Sequence, residues 1–282
     1  MTNKVISIIV ISYNRQKSCF ETILNVQQLE TPEGYFKQIV VINNGSDESY
    51  NVIKNLHIDY FRSTKNLGVS GGRNLGISKS VGNYIVFIDD DAIFKYEDSL
   101  VYLIHKFKQA DVVGFAVWDY YANKWDLPVK NKERRKCDEF YNNVFWGGAV
   151  AFKRSVFDKI GMFDESFFYG MEEYDLSYKA IQAGFKIYFT RNIVVIHKHK
   201  ISGKYNIKKY KGMFENKCLV AWRYLPFRYF VSHLIFWGGF LLVRSKSFIH
   251  LFDSMYRLFK KLNKRKVIDT KYIKSVSGRL NY

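Results

Sequence analysis

Short apolar runs separated by polar turns set the pattern of the first third of the chain. Val5-Ile-Ser-Ile-Ile-Val-Ile11 is almost wholly β-branched, which predicts a strand buried in a parallel sheet. Ser12-Tyr13-Asn14-Arg15 then turns into a helix over about residues 16–30. Gln38–Ile42 predicts a second buried strand, ended by the turn sequence Asn43-Asn44-Gly45-Ser46. A short helix and a third strand near Ile58–Phe61 follow. Asn66-Leu-Gly68 and Gly71-Gly72 open another helix, and Tyr84–Ile88 is a fourth apolar strand.

Strands alternating with helices at this spacing predict an α/β fold: a mostly parallel, Rossmann-like central sheet with helices on both faces. Ligands of such sheets sit at the carboxyl ends of the strands. The polar clusters Ser12–Arg15, Asn43–Asp47 and Asp89–Asp91 each follow a strand directly, so they should meet on one rim. After Asp91 the pattern loosens. Val112–Val117 reads as a strand, Trp118–Asn143 as an irregular polar and aromatic loop, and Val144–Phe152 and Ile187–Phe189 as strands flanking a helix over about residues 173–183. From Asn206 onward the chain reads as helical and basic.

Charge changes the picture at this point. The formal net charge is +18, yet residues 198–282 hold 20 of the 44 Lys and Arg and only three of the 26 Asp and Glu. That leaves 24 bases against 23 acids in the rest, so the excess belongs to the tail. A basic tail interleaved with Trp, Phe, Leu and Tyr favours an anionic membrane surface over nucleic acid. A solvated basic helix bundle, or a surface for self-association into a homo-oligomer, is the alternative. The longest apolar stretch, Tyr229–Val243, falls short of the ~20 residues of a spanning helix and reads as interfacial or re-entrant. Cys19, Cys137 and Cys218 have no metal-ligand spacing and read as free thiols in a reducing compartment. With no signal-peptide pattern before Val5, the expected location is cytoplasmic, peripheral at the inner face of the cell membrane.

Asp89-Asp90-Asp91 places three carboxylates at a strand end, and that much like charge is costly without a counter-ion. A hard divalent cation, Mn²⁺ or Mg²⁺, with oxygen ligands removes the cost. In extended backbone Asp89 and Asp91 point one way and Asp90 the other, which favours Asp91 as metal ligand and Asp89 on a ribose or metal water. A solvated acidic turn is the simpler alternative. Glu172, Glu173 and Asp175 form a second acidic cluster just before an amphipathic segment that starts at Leu176; carboxylates there serve helix capping, or a general base that takes an acceptor hydroxyl's proton. His197 and His199 follow the apolar run Ile193–Ile196, and either is a surface residue or a further metal ligand. Asn66 to Gly76 matches no P-loop or dinucleotide fingerprint, but its glycines permit close approach of a ligand and Arg73 could meet a phosphate.

Taken in order, VSIIVISYNR, VINNGSDES, NLGVSGGRNLGI, YIVFIDDDA, WGGAVAFKRSVFDKIGMFDESFFYGMEEYDLSYKAIQAGFKI and VVIHKHK resemble the family 2 glycosyltransferases of GT-A fold, over about residues 4–220. The resemblance implies inverting transfer from a nucleotide-diphospho-sugar, UDP- or dTDP-linked in preference, without a covalent enzyme intermediate. By that likeness Asp89 and Asp91 form a DXD motif for ribose, diphosphate and metal, and His197 matches the family's late histidine. Ser12, Asn14, Arg15 and Asn43, with Asn66, Gly68, Arg73 and Asp90, fall on the nucleotide side. Trp146, Gly147, Gly148 and Asp175 fall on the sugar and acceptor side. Asn43 stands where the family commonly has Asp, and Glu172-Glu173 where it has Glu-Asp, which makes Glu173 the aligned base and Glu172 the second choice. The implied layout is a catalytic domain over 1–205, with a nucleotide half (1–117) and an acceptor half (118–205), followed by a basic amphipathic helical tail over 206–282. Its subset with a tail such as FENKCLV builds bacterial surface polysaccharides, rhamnosyl or galactofuranosyl, so a glycan or glycolipid acceptor is expected. A sugar nucleotidyltransferase fits less well, since SYNRQKS lacks the glycines that grip a triphosphate, and a non-catalytic scaffold would not need the carboxylates.

Overall fold

The structure, a computed structural model, describes residues 4–47, 49–54, 56–129, 131–198, 206–263, 265–269, 271 and 273. The first half runs β1 (Lys4–Ser12), α1 (Gln16–Gln28), β2 (Tyr35–Asn43), α2 (Asn51–Lys54), β3 (Asp59–Arg62), α3 (Gly68–Lys79) and β4 (Tyr84–Asp89). Next come β5 (Ala92–Phe94), α4 (Ser99–Lys106), β6 (Val112–Asp119), β7 (Lys124–Asp126), β8 (Glu139–Asn142) and β9 (Ala149–Lys153). These are followed by α5 (Arg154–Ile160), α6 (Glu172–Gln182), β10 (Ile187–His197), α7 (Ile207–Tyr224), α8 (Phe227–Ser245) and α9 (Phe248–Lys261).

One sheet organises these elements in the order β3-β2-β1-β4-β9-β6-β10-β5, with β7 on β6 and β8 on β10. The run β3-β2-β1-β4 is parallel throughout, as its continuous apolar strands predict. Beyond β4 the sheet is mixed: β9 is antiparallel to both β4 and β6, β6 and β10 are parallel, and β5 is antiparallel to β10. Each face carries its own core. Ile6, Ile8 and Val10 pack against Cys19, Ile23 and Val26 of α1, an i, i+4, i+7 stripe that explains why this segment is helical. Ile9, Val40 and Ile42 on the other face pack with Ile77 of α3 and Leu176 of α6.

The second half departs from the sequence pattern in three places. The Trp118–Asn143 segment contains β7 and β8, and the strand expected over Val144–Phe152 begins only at Ala149. Ile187–Phe189 is the start of an eleven-residue strand that takes in Ile193–Ile196 and ends at His197. Its register shifts between Thr190 and Val194, where the polar pair Arg191-Asn192 interrupts the apolar run and hides its continuity.

The C-terminal helices share a third core with α6 and the loop before it, joining Phe167, Met171 and Tyr178 to Phe214, Cys218 and Tyr224. Within it Asp175, 1% exposed, accepts hydrogen bonds from Arg223 Nη1 and Tyr224 OH, each at 2.8 Å, and pairs with Lys179 at 2.6 Å. Asp175 therefore ties α6 to α7 and does not face an acceptor, contrary to its assignment from sequence. Among the described residues no helix is long and apolar enough to cross a membrane. Cys19 and Cys218 are buried, Cys137 is exposed, and none is bridged.

Candidate active site

The carboxyl ends of β1, β2 and β4 open into a cleft of about 300 Å³, bordered by Ile11, Tyr13, Asn44, Asp89, Asp91 and His197 among others. Strand register decides which side chains reach it. Ile11 pairs with Asp89 on one side and with Ile42 on the other, and in a parallel sheet paired residues share a face. Continuing by twos from these positions brings Tyr13, Asn44 and Asp91 to the cleft.

Ser12, Asn43 and Asp90 have the opposite parity and are buried. Ser12 Oγ donates to Asp90 Oδ2 at 2.6 Å. Asn43 accepts from the Ser46 N–H at 2.8 Å and donates to Tyr60 OH at 2.9 Å, so neither half of its amide is turned to a ligand. Asn14, at φ 53°, takes Ser46 Oγ as acceptor for its N–H and accepts from the Asp47 N–H, which locks the first two turns together. Ser12 and Asn43 thus build the floor of the site and are turned away from the cleft, contrary to the nucleoside contacts expected of them, whereas Asn14 is exposed beside it. Asp90 borders the cleft, yet it is 5% exposed and held by Ser12 and Arg15; burial pushes its carboxyl up to about 7 against those two contacts. It supports the turn.

Asp89, Asp91 and His197 present ligand atoms all within 4.8 Å of one another. β10 carries His197 beside β5, and its Nε2 lies 3.1 Å from Asp91 Oδ1. Burial lowers the imidazole's proton affinity, but the Asp91 carboxylate outweighs it and leaves the net shift upward. Arg15 Nη1 meets the other Asp91 oxygen at 2.6 Å. Two carboxylates and an imidazole from three elements suit a Mn²⁺-type ion, and the donor set fits Mg²⁺ less closely because of its nitrogen. His199 lies outside the described residues.

A second lobe of about 310 Å³ shares Asp89, Arg73, Tyr169 and His197 with the first and adds Trp146, Gly147, Gly148, Glu172 and Glu173. The 146–148 segment passes so close to the rim that side chains are excluded. A Cβ on Gly148 would lie 2.0 Å from the Asp89 carboxylate carbon, and one on Gly147 would lie 2.5 Å from the Arg73 guanidinium. Gly170 and Met171, at φ 81° and 74°, make the tight left-handed turn that starts α6 and brings its acidic first turn to the lobe. Arg73, 5% exposed, donates to Glu172 Oε1 at 2.9 Å and comes within 4.0 Å of Asp89. Glu173 Oε2 is buried without a hydrogen-bond partner, and burial together with the Glu172 carboxylate holds its acid well above the usual carboxylate range. Arg73 engages Glu172 through Oε1, and Glu172 Oε2 is left buried without a partner as well, so each of the two carboxylates keeps one oxygen to offer.

Asn66 and Gly68 line the first lobe, Asn66 Oδ1 accepting from the Gly68 N–H at 2.8 Å. The sequence reading does not assign several residues that line the two lobes, among them Tyr13, Asn44, Asp126, Phe168 and Tyr169. Parity from the strand register would have found Tyr13 and Asn44. Asn216 of α7 donates to the Tyr169 and Gly170 carbonyls at 3.0 and 2.8 Å, so the tail positions one wall of the site.

The family model for glycosyl transferase family 2 matches residues 7–161. An uncharacterised glycosyltransferase of Rickettsia bellii is 33% identical over 145 residues, half of this chain, which spans only 20% of that relative's length. The O-antigen chain rhamnosyltransferase RfbN of Salmonella typhimurium is 26% identical over 227 residues, 73% of this chain and 70% of RfbN. Among solved structures, the mannosyltransferase PcManGT from Pyrobaculum calidifontis, in complex with GDP-Man and Mn²⁺, superposes with a TM-score of 0.62 at 16% identity, over 92% of this chain and 76% of that one. GalNAc-T7 with UDP, GalNAc and Mn²⁺ gives 0.60 at 20% identity, over 79% and 48%. These likenesses establish the fold as that of GT-A glycosyltransferases. With more than half of its residues matched by the family model, the chain belongs to glycosyl transferase family 2.

Proposed function

We propose that this chain transfers a sugar, with inversion, from a nucleotide-diphospho-sugar to a hydroxyl of a glycan or glycolipid acceptor. The observation that carries the reading is the shared rim: a metal-competent Asp89, Asp91 and His197 cluster in one lobe, and the neighbouring Glu172 and Glu173 carboxylates, each with one unpartnered oxygen, in the adjoining one. A divalent cation held by these three residues would supply positive charge against the departing diphosphate. Tyr13, 42% exposed at the cleft edge, offers a ring face for a base, and the Asn44 amide lies on the same wall.

Glu173 accepts the proton of the acceptor hydroxyl as its oxygen bonds to the anomeric carbon and the bond to the diphosphate oxygen breaks. Its raised proton affinity suits a base that must take a proton from an alcohol near neutral pH. Arg73 holds Glu172 in place and sets positive charge near Asp89. Solved neighbours named with UDP or GDP-Man and Mn²⁺ support a nucleotide-sugar donor, with a UDP- or dTDP-sugar favoured here.

The test is the product of a donor panel incubated with Mn²⁺ and a simple acceptor, its anomeric configuration read by NMR. Inverted product from wild-type chain, lost on Glu173→Gln, is expected. Retained configuration, or full activity of Glu173→Gln, would refute the mechanism.

A further inference from the structure

The basic tail has a surface that the transfer chemistry does not use. Helix α9 divides around its circumference into three arcs. Leu251, Ser254, Met255 and Leu258 pack inward on the third core or are buried beside it. Arg257, Lys260 and Lys261 with His250 and Asp253 form a polar, net basic arc. The remaining arc, about 100° wide at 3.6 residues per turn, holds Phe248, Ile249, Phe252, Tyr256 and Phe259, which are between 50% and 77% exposed. On α8, Ile235, Phe236 and Val243 are 65% to 76% exposed as well.

Contiguous exposure of large apolar side chains on this scale marks an interaction surface. The charge decides what covers it. A protein interface is depleted of charge at its centre, and a second copy would bring one basic edge against another. Glu215 of α7 pairs with Arg257 and Lys261, and Asp253 with Arg257, so the arc's net charge is carried to the apolar edge by Lys260, and the sequence adds Lys264, Arg265 and Lys266 directly after the helix. An apolar arc edged by Lys and Arg matches a helix lying in the plane of a bilayer interface.

We infer that α9 seats this chain on an anionic lipid bilayer, with the Phe248, Phe252 and Phe259 side chains in the acyl boundary and Lys260, at the edge of the apolar arc, among the headgroups. The same basic edge adjoins the cleft. Arg257 and Lys261 line a pocket with Phe168 and Tyr169, which also border the donor lobe, so a membrane-borne acceptor would arrive beside the site. The surface is read from α9 alone and does not depend on the proposed transfer.

The experiment is co-sedimentation of the full chain with neutral phosphatidylcholine vesicles and with vesicles containing roughly a third phosphatidylglycerol. Binding to the anionic vesicles alone, weakened by salt, is expected. Phe252→Asp with Phe259→Asp should cut it by more than tenfold, and Lys260→Glu should weaken it severalfold. The melting temperature and Mn²⁺ binding of these variants should match wild type, which separates loss of docking from loss of fold or of the metal site. If the double variant melts early, Ile249→Ser carries the same test. Equal binding to both vesicle types, unchanged binding of the variants, or a dimer that the variants dissociate in place of any vesicle binding would overturn the inference.

Discussion

Replacing Gly148 by alanine tests whether the Asp89 carboxylate must stand where it does. The new Cβ would meet Asp89 Cγ at 2.0 Å and its two oxygens at 2.1 and 2.2 Å. Ordinary contact begins near 3.4 Å, so the carboxylate must retreat by about 1.4 Å or the 146–148 segment must lift by as much. Asp89 is a short side chain at a strand end, half exposed, with room to swing toward solvent. The cheap response is therefore rotation of the carboxylate away from Asp91 and His197, at little cost in stability. Displacing a ligand by over 1 Å should lower Mn²⁺-dependent turnover by about 10²-fold. The assay is donor turnover against Mn²⁺ concentration, with direct titration of Mn²⁺ into the protein as a second readout. Unchanged Mn²⁺ affinity and turnover would show that Asp89 has no part in the metal site or that the segment moves freely, and either result refutes the reasoning.

Four further outcomes are expected. The acid limb of the turnover profile against pH should lie above the usual carboxylate range, because Glu173 must be ionised to act, and Glu173→Gln should cost about 10²–10⁴-fold in turnover. Because its acid is more strongly held folded than unfolded, Glu173 favours the fold most below about pH 4 and that contribution is lost as pH rises through the folded value; Glu173→Gln should therefore melt higher than wild type at alkaline pH. Asp175→Ala leaves Arg223 and Tyr224 without their shared acceptor and should cost about 3–5 kcal/mol, a drop of roughly 6–10 °C in Tm by calorimetry. Tyr13→Ala should weaken nucleotide binding about tenfold in calorimetric titration while leaving Mn²⁺ binding intact.

The parallel half of the sheet was legible because strands buried on both faces are written as unbroken β-branched runs, as in β1 and β4. The metal cluster was legible for a related reason: alternation separates Asp89 and Asp91 from Asp90, and Asp90 indeed turns to Ser12. What alternation within one strand lacks is the phase between strands. Ser12 and Asn43 ended their strands and were polar, yet their register pairing puts them on the buried side, and the cleft received Tyr13 and Asn44. Asp175 was misread because a carboxylate in a helix's first turn has the same sequence signature whether it faces a ligand or a buried arginine. Only the fold of the tail, which delivers Arg223 and Tyr224, distinguishes the two. Phe168 and Tyr169 reach the site through a loop held by Asn216, a long-range contact that no local pattern encodes.

Asp89, Asp91 and His197 are proposed to bind a divalent cation that makes the cleft a nucleotide-diphospho-sugar site. The direct measurement is thermal stabilisation of wild-type chain and Asp91→Asn by UDP-, dTDP- and GDP-sugars, each with Mn²⁺ and with chelator. A rise in melting temperature is expected for wild type with one nucleotide class, only when Mn²⁺ is present, and none for Asp91→Asn. Stabilisation that persists in chelator or in Asp91→Asn, or no stabilisation by any of the three, would contradict it.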